Sequence, residues 1–108
     1  MATYYVEKEA YGITEESLKF LDQHLYQIGQ VKRIEGFLAG NTVSEPGNEQ
    51  WVAFEGILGD RIVVSGFSWG YRGEGPYGLQ RAAKRGGLEV EMGKIARLPW
   101  DRGFVWEV

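Results

Sequence analysis

The chain has 108 residues, a length that fits one domain with a modest buried core, and it carries a net charge of −3 with no cysteine. The lack of cysteine excludes a disulfide framework, a thiolate nucleophile and a cysteine metal site, and the acidic balance argues against nucleic acid as a partner. No apolar run approaches the roughly 20 residues that a membrane span needs, and the N-terminus lacks a signal-peptide pattern. We therefore expect a single cytoplasmic domain over residues 1–108, with no membrane partner.

The first half of the chain alternates strand-like and helical patterns. Thr3 to Glu7 is rich in β-forming residues and predicts a strand. Leucines at helical spacing predict an amphipathic helix over Thr14 to Gln27, with Gly29 as its stop. The other elements of this half are strands at 31–38, 51–58 and 61–67, a loop at 39–49 and a tight turn at Gly59-Asp60.

The second half is dominated by glycine and short segments. A glycine loop (Gly70–Gly75) precedes a helix predicted at Pro76 to Arg85, which Gly86-Gly87 ends. Three short apolar or alternating segments follow, at 88–92, 94–98 and 104–108. The whole pattern predicts an α+β fold, a small mixed or antiparallel sheet of about five strands with two helices.

The glycine loop is the first candidate binding feature. It follows the apolar run Ile62-Val63-Val64 and leads into Pro76, a residue favoured at the first helical position. Glycines allow close approach to a ligand, and a helix N-terminus has free N–H groups and partial positive charge, which suit an anion. The loop lacks the G-K-[ST] ending of a P-loop and the Rossmann spacing. We expect a small phosphate-containing ligand at the amides near Gly73 to Tyr77, with a purely structural corner as the alternative.

Cations and rings surround this loop. Arg81 and Arg85 share a helix face, and Arg72 lies inside the loop, so all three are candidates to neutralise phosphate. The alternative is a solvated basic face near a helix C-terminus. Trp69 and Tyr71 flank the loop and are the best candidates to stack on a base, although core packing also explains such rings.

Catalytic groups are scarce. Glu74 is the one carboxylate in the glycine loop, able to accept a ribose hydroxyl, act as a base or pair with Arg72 or Arg81. His24 is the only histidine, so no triad or transition-metal site is predicted. We expect no cofactor and no catalytic residue. The candidate ligand-binding residues are Trp69, Gly70, Tyr71, Arg72, Gly73, Glu74, Gly75, Tyr77, Arg81 and Arg85.

The segment from Phe67 to Pro76, followed by Leu79, resembles a family of small uncharacterised domains found in phages, plasmids and bacteria. The family's signature is an aromatic, then W-G-Y-x-G-x-G-P, then a leucine-rich helix. The resemblance covers residues 62–108, and Ile95 to Pro99 looks like the family's closing strand. The chain departs from the family at Arg72 and Glu74, where glycine and serine are usual.

The resemblance implies a mobile-element context and, if the protein is phage-encoded, the host-cell cytoplasm. Small phage proteins often disarm host defence, and some sequester cyclic nucleotide or cyclic ADP-ribose signals. We therefore expect an anti-defence sponge that holds a nucleotide-derived signal without cleaving it, as a homo-oligomer. The alternatives are an inhibitor that binds a host defence protein, and a nucleotide-cleaving enzyme that uses Glu74.

Overall fold

The computed structural model describes residues 2–7, 12–41 and 46–108, which form a five-stranded sheet and three helices. The strand order is β1-β4-β3-β2-β5, with β1 parallel to β4 and all other neighbours antiparallel. The predicted α+β class and the small mixed sheet are confirmed. The elements are β1 (Tyr4–Val6), α1 (Thr14–Ile28), β2 (Val31–Asn41), β3 (Pro46–Gly56), β4 (Arg61–Val64), α2 (Glu74–Arg85), α3 (Met92–Arg97) and β5 (Phe104–Glu107).

The hydrophobic core lies between the helices and one face of the sheet. Alternate strand residues such as Ile34, Phe54 and Ile62 are fully buried there, as the period of two of a β-strand requires. Helix α1 contributes Leu18 and Leu21 from its apolar stripe, so its predicted amphipathic character is confirmed. The rest of the cluster comes from α2, α3, β5 and the segment after β4, chiefly Phe67, Trp69, Leu79, Ala82, Ala83, Ile95, Phe104 and Trp106.

On the opposite face of the sheet no helix of the described residues packs; this face, which we call the uncovered face, carries a ladder of alternating charge. The registers place Tyr4, Arg61, Glu55, Arg33 and Glu107 side by side across all five strands. An Arg61 guanidinium nitrogen lies 2.7 Å from Glu55 Oε1, and Arg33 Nε lies 3.2 Å from Glu107 Oε1. Cross-strand pairs of opposite charge stabilise a sheet, so this charge ladder helps to fix the strand order.

Glu55 makes the stability of the sheet depend on pH. Hydrogen bonding from Lys32 and then from Arg61 holds the pKa of Glu55 below its ordinary value of 4.5, against the opposing effect of burial. A lowered pKa contributes stability above pH 4.5 that is lost as the pH falls through the folded-state value. We expect urea unfolding at descending pH to show this loss in the wild type. The loss should shrink in Glu55→Gln and persist in Glu89→Gln, an exposed site.

Two predicted segments are corrected, the second helix and the loop between the second and third strands. Helix α2 begins at Glu74 rather than Pro76, because the Tyr77 amide already donates to the Gly73 carbonyl at 3.0 Å. Pro76 is tolerated there because amides of the first turn have no intrahelical acceptor. Strand β2 extends to Asn41 and strand β3 begins at Pro46, so the predicted loop at 39–49 is shorter. The centre of that loop, 42–45, lies outside the described residues.

A third correction concerns the segment that resembles a closing strand. Met92–Arg97 is helix α3, and the chain therefore has a helix beyond the predicted two. Met92, Ile95 and Leu98 all contact the core. Their spacing of three residues is a helical period rather than the period of two of a strand, and it places all three on the inward side.

Candidate functional site

A polar network holds the chain after β4 against the start of α1. Ser17 Oγ donates to Glu7 Oε1 at 2.7 Å and accepts the Gly66 amide at 2.8 Å. The Thr14 hydroxyl donates to the Gly66 carbonyl at 2.8 Å, and the Ser65 amide donates to Glu7 at 3.2 Å. These bonds join three segments distant in sequence, so the approach to the glycine loop has a defined position.

Gln50, near the middle of β3, binds the backbone of Trp69, just before the loop, and the backbone of Trp100. Its Nε2 donates to the carbonyls of Trp69 at 3.1 Å and Trp100 at 3.0 Å, and its Oε1 accepts the Trp69 amide at 3.3 Å. A primary amide has both donors and an acceptor, so one side chain satisfies three backbone groups. Gln50 therefore fixes the loop against the segment that follows α3.

Trp69 is a core residue rather than a ligand platform. Its side chain is 0 % exposed, and its ring lies edge-on to Phe104 with centroids 4.8 Å apart. The indole N–H donates to the carbonyls of Pro99 at 3.1 Å and Arg102 at 2.9 Å. This corrects the expectation that Trp69 stacks on a base, because no ring face is open to a ligand.

Tyr71 lies at the surface, in the glycine loop. Its ring is 50 % exposed, its hydroxyl shares a hydrogen bond of 2.8 Å with Ser68, and the ring edge lies close above Gly73. Gly70 has a φ of +93° and lies against the backbone of Trp100. Glycine is needed at position 70 both for this φ and for the close approach.

The starts of α1 and α2 open into one cleft, which we call the loop cleft. Its volume is about 820 Å³, and residues 12–14, 49–50, 65–68, 71 and 74–75 line it. The residues that precede the two helices, Ile13 and Gly73, make no side-chain cap. Ser65 also lines the cleft, and its hydroxyl oxygen is buried and has no hydrogen-bond partner among the described residues. Unpaired polar groups of this kind are costly unless a solvent molecule or a ligand pairs them.

The charged residues among those that line the loop cleft are carboxylates, Glu49 and Glu74. Because α2 begins at Glu74 and its third residue is a proline, the amides free at its start are those of Glu74 and Gly75. The cleft therefore offers amide donors, hydroxyls and carboxylate acceptors together. Such a lining suits a neutral polar group with both donors and acceptors, such as a sugar diol, better than a bare phosphate.

Arg81 and Arg85 do not reach the loop cleft. Arg81 lies 3.0 Å from Glu15 and Arg85 lies 2.8 Å from Asp22, so both join α2 to α1. Tyr77 stands beside Arg81, whose guanidinium carbon is 5.7 Å from the ring centroid. Arg81 and Tyr77 line a separate groove of about 540 Å³ along α2, which shares no lining residue with the loop cleft.

Arg72 instead points toward α3. A Cβ atom built on Gly93 would lie 3.7 Å from one Arg72 nitrogen and 3.0 Å from one Arg97 nitrogen. Trp100 follows this helix and is 67 % exposed, and its backbone lies against Gly70. Sequence reasoning missed Arg97, Trp100, Gln50 and Ser65, since only the spatial approach of α3 and β3 to the loop indicates them.

No group of three metal-ligating side chains comes together within the described ranges. No described helix has both the length and the apolar composition of a bilayer span. A scan against protein-family models and searches of curated proteins and of solved structures find no match to this chain. The resemblance to the phage, plasmid and bacterial domains therefore stays a prediction.

Proposed function

We propose that this protein binds a small nucleotide-derived ligand at the loop cleft and retains it unchanged. The observation that carries the proposal is the convergence of two uncapped helix starts on one cleft, which is also lined by Ser65, a residue with an unpartnered buried hydroxyl. Its volume of about 820 Å³ falls within the range of small-molecule sites. A sponge for a nucleotide immune signal, as the phage context implies, is the finer form of this proposal.

The parts of a nucleotide have matching places around the cleft. The exposed ring of Tyr71 offers a stacking face for a base. The carboxylates of Glu49 and Glu74 accept hydrogen bonds from ribose hydroxyls, and the amides of Glu74 and Gly75 donate to ligand oxygens. The proposal assigns Glu74 and Glu49 to hydrogen bonding with the ligand and not to its cleavage, and recovery of the ligand tests that assignment.

The test is a thermal-shift screen with adenosine, AMP, ADP, 3′,5′-cyclic AMP, a cyclic dinucleotide and ADP-ribose, with chromatography of each compound afterwards. A ligand at 100 times its Kd stabilises the fold by about 2.7 kcal/mol. We expect at least one compound to raise Tm and to be recovered intact. Recovery of an altered compound would support the enzyme alternative, and no shift with any compound would overturn the proposal.

Ser65→Ala and Ser17→Ala form a matched pair for this screen. Ser65→Ala removes an unpartnered buried hydroxyl, so the stability without ligand should stay equal or rise while the ligand-induced shift falls. Ser17→Ala removes two buried hydrogen bonds, so the stability without ligand should fall by about 1–3 kcal/mol. An unchanged ligand shift in Ser65→Ala would contradict the placement of the ligand in the loop cleft.

A second copy of the chain is the proposed partner at the uncovered face. Val6 and Val105, 42 % and 56 % exposed, stand at the two ends of a row next to the charge ladder, with Val63, Ala53 and Glu35 between them. The ladder charges are paired within the chain, so a copy can cover the ladder without leaving those charges unpaired, and Glu35 in the next row needs a donor from the copy. We expect a dimer by light scattering at micromolar concentration, which Val105→Lys dissociates. A monomeric wild type would contradict this assignment.

A further inference from the structure

Two exposed guanidinium groups come together on the α3 side of the glycine loop. One nitrogen of Arg97 and one of Arg72 lie 3.0 Å and 3.7 Å from the same point, the position of a Cβ on Gly93. In the described part of the chain, neither arginine has a carboxylate within ion-pair distance. Four other arginines do pair with carboxylates: Arg33, Arg61, Arg81 and Arg85.

Two like charges at such separation repel each other. For two exposed charges the cost is about 1 kcal/mol in water at a separation of 4 Å, and it falls as the separation grows. An anion seated between the guanidiniums converts this repulsion into charge-assisted hydrogen bonds, which arginine makes to phosphate with two parallel N–H groups. The arrangement therefore indicates an anionic group that touches both side chains.

We infer that Arg72 and Arg97 form the phosphate anchor of the ligand and select a doubly charged phosphate, a terminal monoester or a pyrophosphate, over a singly charged cyclic diester. The inference rests on the proposed function, since the anchor is assigned to the same ligand. Arg72 directly follows Tyr71, which lines the loop cleft, but Arg72 itself does not line it, so the anchor holds the phosphate outside the cleft while the base stacks on the Tyr71 ring. The carboxylates of the loop cleft then face the sugar and not the phosphate.

Isothermal titration of AMP, 3′,5′-cyclic AMP, adenosine and pyrophosphate tests this anchor. At about pH 8 the phosphate of AMP is doubly charged, because its second pKa is about 6. We expect AMP to bind about 10-fold tighter than the cyclic diester. Arg72→Gln and Arg97→Gln should each weaken AMP about 10- to 100-fold and leave adenosine unchanged. Arg102→Gln, at an exposed arginine outside the anchor, is the matched control and should leave the affinities for AMP and adenosine unchanged.

The outcomes separate this inference from the proposed function. If Arg97→Gln leaves the affinity for AMP unchanged while adenosine still binds, the anchor is overturned and the loop cleft stands. If pyrophosphate binds through Arg97 and no nucleoside or nucleotide adds affinity, the proposed function is overturned and the anchor stands. Equal affinity for AMP and for the cyclic diester would overturn the selection for double charge.

A measurement without ligand gives an independent readout. Because the two guanidiniums repel each other in the free protein, either glutamine variant should unfold at the same or a higher temperature than the wild type. A loss of stability in both variants would mean that the arginines are held by contacts within the fold. That result would overturn the inference that an anion joins them.

Discussion

Gly70→Ala should destabilise the protein by about 3 kcal/mol or more. The new Cβ would lie 2.6 Å from Trp100 Cβ, 2.8 Å from its Cα and 3.0 Å from its N. Two of these atoms are backbone, so a rotation of the side chain cannot relieve the contact. The φ of +93° adds the strain that a left-handed conformation imposes on any residue with a Cβ.

Gly87→Ala is the matched control, because Gly87 has nearly the same φ, +95°, and a Cβ there would meet only Val108 at 3.7 Å. The free energy of unfolding of this variant should fall only by the conformational cost of a Cβ at positive φ, about 1–2 kcal/mol. Thermal unfolding should place Gly70→Ala about 10 °C below Gly87→Ala, given the roughly 4–8 °C that each kcal/mol changes in a small domain. Equal melting temperatures would show that the contact between the loop and Trp100 contributes nothing to the fold.

Trp69→Ala should cost about 3–5 kcal/mol, the range for removing a large buried aromatic residue. The side chain is fully buried, its ring is edge-on to Phe104, and its N–H satisfies the carbonyls of Pro99 and Arg102. The substitution leaves a cavity and leaves both carbonyls without this donor. The segment that carries Trp100 and Arg102 should therefore loosen together with the glycine loop.

Two further substitutions separate packing from hydrogen bonding. Trp69→Phe keeps most of the ring volume and removes the N–H, so it should cost about 1–3 kcal/mol. Trp100→Ala, at a ring that is 67 % exposed, should change stability by about 0.5 kcal/mol or less. Urea unfolding measures all three variants. If Trp69→Ala lowers the free energy of unfolding no more than Trp100→Ala does, Trp69 is not the core residue described above.

Local patterns were sufficient to predict most elements of the fold. Leucines at helical spacing predicted α1, and the glycine loop before a helix was recognised because both signals lie within a few residues. The sheet order was not predictable, since the parallel pairing of β1 with β4 brings Tyr4 beside Arg61 through contacts distant in sequence. Helix α3 was missed because its apolar spacing extends over too few residues to separate it from a short strand.

In the candidate site too, the sequence predicted the positions that depend on local residues and not those that depend on contacts distant in the chain. Tyr71, Glu74 and Gly75, which were candidates from the sequence, line the loop cleft because their positions follow from the loop itself. Arg81 and Arg85 were assigned to phosphate, yet their partners Glu15 and Asp22 lie 66 and 63 residues away in the chain. Trp69 was assigned to stacking because an aromatic residue beside a loop has the same sequence pattern whether its ring is buried or exposed.

The most direct test of ligand binding at the loop cleft is a titration with AMP followed through the backbone amide resonances of the ¹⁵N-labelled protein. The account predicts saturable shifts at Ser65, Gly73 and Gly75, and none at Tyr4 or Glu107 on the uncovered face. Absence of shifts, or shifts confined to the uncovered face, would contradict the central claim that this cleft is the binding site.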